Sequence, residues 1–166
     1  MKCFVLQIFV LTISAMGVSC KKKIEKPPVT IHCADLRTDI RPGDNVFVSA
    51  PTAFTPNGDG LNDGFRPVGV NAQSYSLKIY DENSEEVFQT VQLNATWTPT
   101  GVSKFKKFYY RINITTSNGS CVEKCGEVYA LKCFPNDIDR AHFFFEDQFN
   151  GNTYSEPTAE NLPICN

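Results

Sequence analysis

Phe108-Tyr109-Tyr110-Arg111-Ile112-Asn113-Ile114-Thr115-Thr116 is the stretch whose reading decides the fold. Phe108, Tyr110, Ile112 and Ile114 fall on one side of an extended chain, and Tyr109, Arg111, Asn113 and Thr115 on the other. That period of two belongs to a half-buried strand and not to a helix. The pattern recurs upstream. Tyr75, Leu77 and Ile79 alternate with Ser76, Lys78 and Tyr80. After the polar turn Asp81–Glu85, residues Glu86–Leu93 supply a partner strand, with Val87, Val91 and Leu93 on one face and Phe88 on the other. Asn45–Ala50 is rich in β-formers, Ala95-Thr96-Trp97 reads as a short strand carrying the single Trp, and Gly126–Phe134 follows the turn Ser117-Asn118-Gly119. Short strands at regular spacing, with no long amphipathic helix before residue 135, indicate an all-β fold: an immunoglobulin-like antiparallel β-sandwich over residues 45–134.

The strands are interrupted by Ala53-Phe54-Thr55-Pro56-Asn57-Gly58-Asp59-Gly60-Leu61-Asn62-Asp63-Gly64-Phe65. Pro56 presets φ, Gly58, Gly60 and Gly64 allow φ > 0, and Asn57, Asp59, Asn62 and Asp63 can bond their own backbone. Phe54, Leu61 and Phe65 are apolar pegs that would tie the loop to a core, so the segment reads as a shaped loop and not a linker. Its oxygens raise the question of calcium. Asn57 and Asp59 are spaced as in part of an EF-hand loop, but Leu61 stands at the next ligand position and no bidentate Glu follows at the right distance. An array of Asx turns is the better reading; Asp59, Asp63 and Asn57 are the ligands a calcium ion would use.

Residues 135–166 form a short C-terminal extension. Pro135-Asn136-Asp137 stops the last strand, and His142-Phe143-Phe144-Phe145 with Phe149 is too apolar to leave in solvent. We expect it to pack onto the sandwich as a short helix or an added strand, with Gly151–Asn166 as coil.

At the other end, Lys2, the apolar run Phe4–Val18 and the small residues before Cys20 look like a bacterial lipoprotein signal peptide spanning residues 1–19. Cys20 would then be acylated and hold the chain on a membrane, most stably with more than one acyl chain. Lys21-Lys22-Lys23 and Pro27-Pro28 lie in the lead-in, residues 20–44. Five cysteines remain: Cys33, Cys121, Cys125, Cys133 and Cys165. Export implies disulfides, and an odd number leaves one thiol over. A bridge from Cys33 to the cluster at Cys121, Cys125 and Cys133 would staple the domain's ends, with Cys165 pinning the tail. Zinc is a poor use for them, because His32 and His142 lack ligand spacing.

Removing residues 1–19 takes away Lys2 alone and leaves 15 basic against 18 acidic side chains in 147 residues. That balance carries no nucleic-acid footprint. No nucleophile elbow, phosphate loop or metal-binding histidine motif is present, and Glu85-Glu86 and Glu146-Asp147 sit in turn or surface contexts, so no enzyme activity is expected.

The stretch Phe54–Asp63, with Phe65 and Pro67, resembles the gliding motility-associated C-terminal domain of Bacteroidetes, the type B sorting domain of type 9 secretion. Tyr75–Tyr80 followed by Val87-Phe88, then Trp97, Tyr109–Ile114, Gly119 and Gly126–Leu131 fit the same family pattern, so the likeness covers residues 45–134. It implies a sandwich and a place in the cell envelope. Glu82-Asn83-Ser84 replaces the family's Arg-Trp-Gly, the chain runs 32 residues beyond Phe134, and no large passenger precedes the domain. The resulting expectation is a non-enzymatic, lipid-anchored envelope protein presenting an interaction domain to an envelope or secretion partner. It would sit on the outer membrane, with the lysines after Cys20 favouring its periplasmic side. Two further readings stand beside it: a type 9 secretion substrate whose sandwich is the sorting signal, and a calcium-dependent adhesion module.

Overall fold

The computed structural model describes Cys33 and residues 36–166. The expected signal peptide, Cys20, the lysines after it and His32 lie outside the described residues. Among the described residues eight strands follow one another: β1 Thr38–Asp39, β2 Phe47–Ser49, β3 Ala53–Phe54, β4 Val68–Val70, β5 Ser74–Tyr80, β6 Glu86–Thr90, β7 Phe105–Thr115 and β8 Cys121–Leu131. The larger sheet has the order β1-β8-β7-β5-β6, and β2 and β4 pair antiparallel as a second, two-stranded sheet. Every strand pair is antiparallel except one: β3 runs parallel to β8, with Ala53 opposite Tyr129 and Phe54 opposite Ala130.

Alternation sets the layers. Tyr75, Leu77 and Ile79 of β5 and Phe108, Tyr110, Ile112 and Ile114 of β7 are buried, as are Val128 and Ala130 of β8, and all join one core with Val46, Val48 and Ala50 from the β2 region. The opposite face of the sheet is polar and carries the cross-strand pairs Lys78–Glu86, Lys107–Glu127 and Arg111–Glu123. Exposed pairs of this kind contribute little stability each. Gly69 of β4 packs tightly under the large sheet: a Cβ there would lie 2.8 Å from Leu93 Cδ1 and 3.2 Å from Ile114 Cδ1 of β7.

Three sequence expectations are corrected. Ala95-Thr96-Trp97 is not a strand; Trp97 makes an isolated bridge to Phe65. The last strand begins at Cys121, five residues before the expected start. Its first half hides its pattern because Lys124 occupies an inward-facing position opposite Ile112. There it donates to the Val48 carbonyl at 3.4 Å, and burial pushes its amine below the ordinary lysine value. In the β6 region Phe88 faces the core against Trp97, whereas Val87 and Val91 are exposed; Leu93, beyond the strand end, turns back to pack on the core.

The C-terminal extension packs on the sandwich, and its short helical elements are two 3₁₀ turns, Arg140–His142 and Glu146–Gln148. The Asp139 carboxylate accepts the Ala141 N–H at 3.0 Å and starts the first turn. Phe143 and Phe145 enter a second core with Ala53, Leu131 and Phe134, while Phe144 between them stays partly exposed. The Phe144 carbonyl accepts the N–H groups of Thr52 and Ala53 at 2.9 and 3.1 Å, which fixes the extension to the strand leading into the loop.

Candidate functional site

The loop between β3 and β4 is built by its own side chains. Thr55 N–H donates to the Asn62 carbonyl at 2.8 Å and closes it. Within that closure the Asn57 Oδ1 accepts the Asp59 N–H at 3.1 Å, and the Asp59 Oδ1 accepts the Leu61 N–H at 2.9 Å. The Asn57 Nδ2 donates to Asp59 Oδ2 at 2.8 Å. Asp63 reaches back across the tip, its two oxygens accepting from Gly58 N–H at 2.6 Å and Gly60 N–H at 2.8 Å. Those donors, Gly58 first and then Gly60, hold the Asp63 carboxyl below its ordinary value of 3.8. Gly58 and Gly60 take φ of +82° and +90°, where a side chain would be strained.

Gly64 serves a different purpose from the one expected. Its φ is not positive; it lets two chain segments touch, because a Cβ there would lie 2.8 Å from Thr98 Oγ1 and 3.0 Å from the Trp97 carbonyl. Phe65 and Trp97 exchange backbone hydrogen bonds at 2.8 and 3.0 Å next to it. Phe54 and Phe65 are buried pegs: Phe54 meets Trp97 edge-on at 6.0 Å, and Phe65 lies 5.2 Å from Tyr110. Leu61, the third expected peg, is half-exposed, and Asn62 is buried in its stead at φ +47°. Residues 57–60 form the exposed tip, with Pro56 half-buried at its base.

The five oxygens offered by Asn57, Asp59 and Asp63 all accept N–H groups, so a cation at the tip would compete with those donors. Among the described residues, no group of three or more His, Cys, Asp or Glu is gathered in a metal-ligating arrangement.

Residues that sequence reasoning left out of the site come from the extension. Glu160 Oε1 accepts from Thr55 Oγ1 at 2.5 Å and from Asn62 Nδ2 at 3.0 Å. The Asp147 N–H donates to Asn62 Oδ1 at 3.0 Å, and Arg66 pairs with Glu146. Between loop and extension lies a cleft of about 340 Å³ lined by Gly60–Gly64, Arg66, Thr96, Glu146 and Asp147. Nothing local signals these contacts, since Glu160 is 98 residues from Asn62.

Two disulfides frame the domain: Cys33–Cys125, with Cα atoms 5.8 Å apart, and Cys133–Cys165, with Cα atoms 5.0 Å apart. Cys121 is a free thiol. Closing the 32-residue span of the second bridge stabilises the fold by about 3–4 kcal/mol in the chain-entropy picture.

A loop of this sequence, carried between the strands of this sandwich, agrees with a comparison against known families. The model of the CHU_C type IX secretion signal domain matches residues 48–129. Residues 48–129 belong to the type IX secretion signal domain family. The match runs from β2 to Tyr129 near the end of β8 and takes in the whole loop, while the extension that grips the loop lies beyond it. A signal domain of a secretion route associates the chain with the cell envelope. No curated protein and no solved structure matches the chain. Among the described residues, no helix is long and apolar enough to cross a membrane.

Proposed function

We propose that the chain is a non-enzymatic, lipid-anchored envelope protein that presents its type IX secretion signal domain as a recognition module, with the loop Phe54–Phe65 as the part that is read. The observation that carries this reading is the loop itself. Its tip is exposed, yet its shape is fixed by hydrogen bonds made before any partner arrives. A preorganised loop on a rigid sandwich loses little freedom on binding, which is what a recognition surface needs. Cys20 supplies the anchor, and the partner is a protein of the envelope or of the secretion machinery. A photoreactive residue placed at Leu61, which is half-exposed and lends the loop only backbone hydrogen bonds, tests it in the native host. The expected result is a discrete membrane-fraction adduct that disappears when Asp63→Ala releases the tip. No adduct, or one indifferent to Asp63→Ala, sinks the loop's role.

The family match favours a second reading, in which the same domain is the sorting and attachment signal of a secretion substrate. That reading requires the chain to be cut within or after the domain and to lose surface delivery when residues 45–134 are removed. A calcium-dependent adhesion module ranks behind both, because the loop oxygens are already hydrogen-bonded.

A further inference from the structure

The loop's closure rests on one pair, Thr55 and Asn62, and the extension grips that same pair. Thr55 is fully buried and Asn62 nearly so. The Asn62 side chain is used at both ends, its amide donating to Glu160 and its oxygen accepting from the Asp147 backbone. Glu160 is itself held in place: its N–H donates to Thr158 Oγ1 at 3.1 Å, and the Asp147 carboxylate accepts both Thr158 Oγ1 at 3.1 Å and Ala159 N–H at 2.8 Å. Five residues on, Cys165 is bonded to Cys133, and backbone bonds Phe134 N–H to Pro163 O and Cys165 N–H to Phe134 O, each 2.8 Å, seat the end beside it.

We propose that residues 135–166 are a strap that sets the shape of the recognition loop, with Glu160 as the positioning residue and the Cys133–Cys165 bridge as its fastening. The strap lies outside the family-matched residues, so this control is a property of this chain's own extension. Its functional meaning rests on the loop being the surface that is read. The coupling itself needs no partner to be measured.

The test is amide hydrogen exchange on the full chain, comparing wild type with Glu160→Ala, Glu160→Gln and the double variant C133S/C165S. Exchange of the Thr55 amide is expected to rise roughly tenfold or more in Glu160→Ala and in the double variant, while Ile112 and Val128 stay protected. Glu160→Gln keeps an oxygen that accepts both bonds, so it stays close to wild type. Unchanged Thr55 exchange in Glu160→Ala overturns the role of Glu160. Unchanged exchange in the double variant, with Ile112 and Val128 protected, overturns the fastening. Should the double variant lose protection at Ile112 and Val128 as well, Glu160→Ala against Glu160→Gln decides the strap's role. A loop that loosens as expected but still gives its Leu61 adduct leaves the strap standing and counts against the loop as the recognised surface.

Discussion

The carboxylate of Asp63 accepts the backbone N–H groups of Gly58 and Gly60 at once, so one side chain folds the tip of the loop over itself. A carboxylate placed this way is stabilised in its charged form, and its pKa lies below the ordinary 3.8. The sign follows from linkage: the loop's stabilisation is complete above the ordinary carboxylate value and is lost as pH falls through the lowered one. NMR titration of the Gly58 and Gly60 amides should show a midpoint below 3.8, and Asp63→Asn should abolish that transition. A midpoint at or above 3.8 contradicts the arrangement.

Gly58 and Gly64 are predicted to fail differently. Gly58→Ala meets open space and suffers only backbone strain, about 1–2 kcal/mol. Gly64→Ala drives a methyl group against Thr98 and the Trp97 carbonyl, an overpacking that costs about 1–3 kcal/mol. Urea denaturation measures both losses. Trp97 fluorescence in the folded state should shift in Gly64→Ala and not in Gly58→Ala.

Phe145 anchors the start of the strap in the second core. Phe145→Ala should cost about 3–5 kcal/mol, by the usual range for emptying a buried aromatic site. Limited proteolysis should then cut within residues 150–158 much faster than in wild type. Equal cleavage rates would mean that the phenylalanine does not hold the strap.

The free thiol offers a check on the disulfide framework. Alkylation without reduction should modify Cys121 and spare Cys33, Cys125, Cys133 and Cys165. Label on any of those four, read by peptide mass, contradicts the pairing.

The main strands were legible because β5 and β7 alternate core and solvent residues without exception from Tyr75 to Tyr80 and from Phe108 to Ile114. The start of β8 was not, since Lys124 stands where an apolar residue was expected. β1, β3 and β4, with two or three residues each, are too short for any period to show. In the loop, composition revealed the turns but not which side chain served which. Leu61 looked like a peg and Asn62 like one more turn-former, and the burial is the reverse because Glu160 and Asp147 supply polar partners from far along the chain. Such a partner has no local signature; only folding brings it near.

The most direct measurement is the intact mass of the mature protein from its native host, with and without reduction. An anchored recognition module predicts acylated Cys20 through Asn166, gaining four mass units on reduction as two disulfides open. A lighter, lipid-free species ending within or just after residues 45–134 would contradict that account and identify the domain as a sorting signal that is removed.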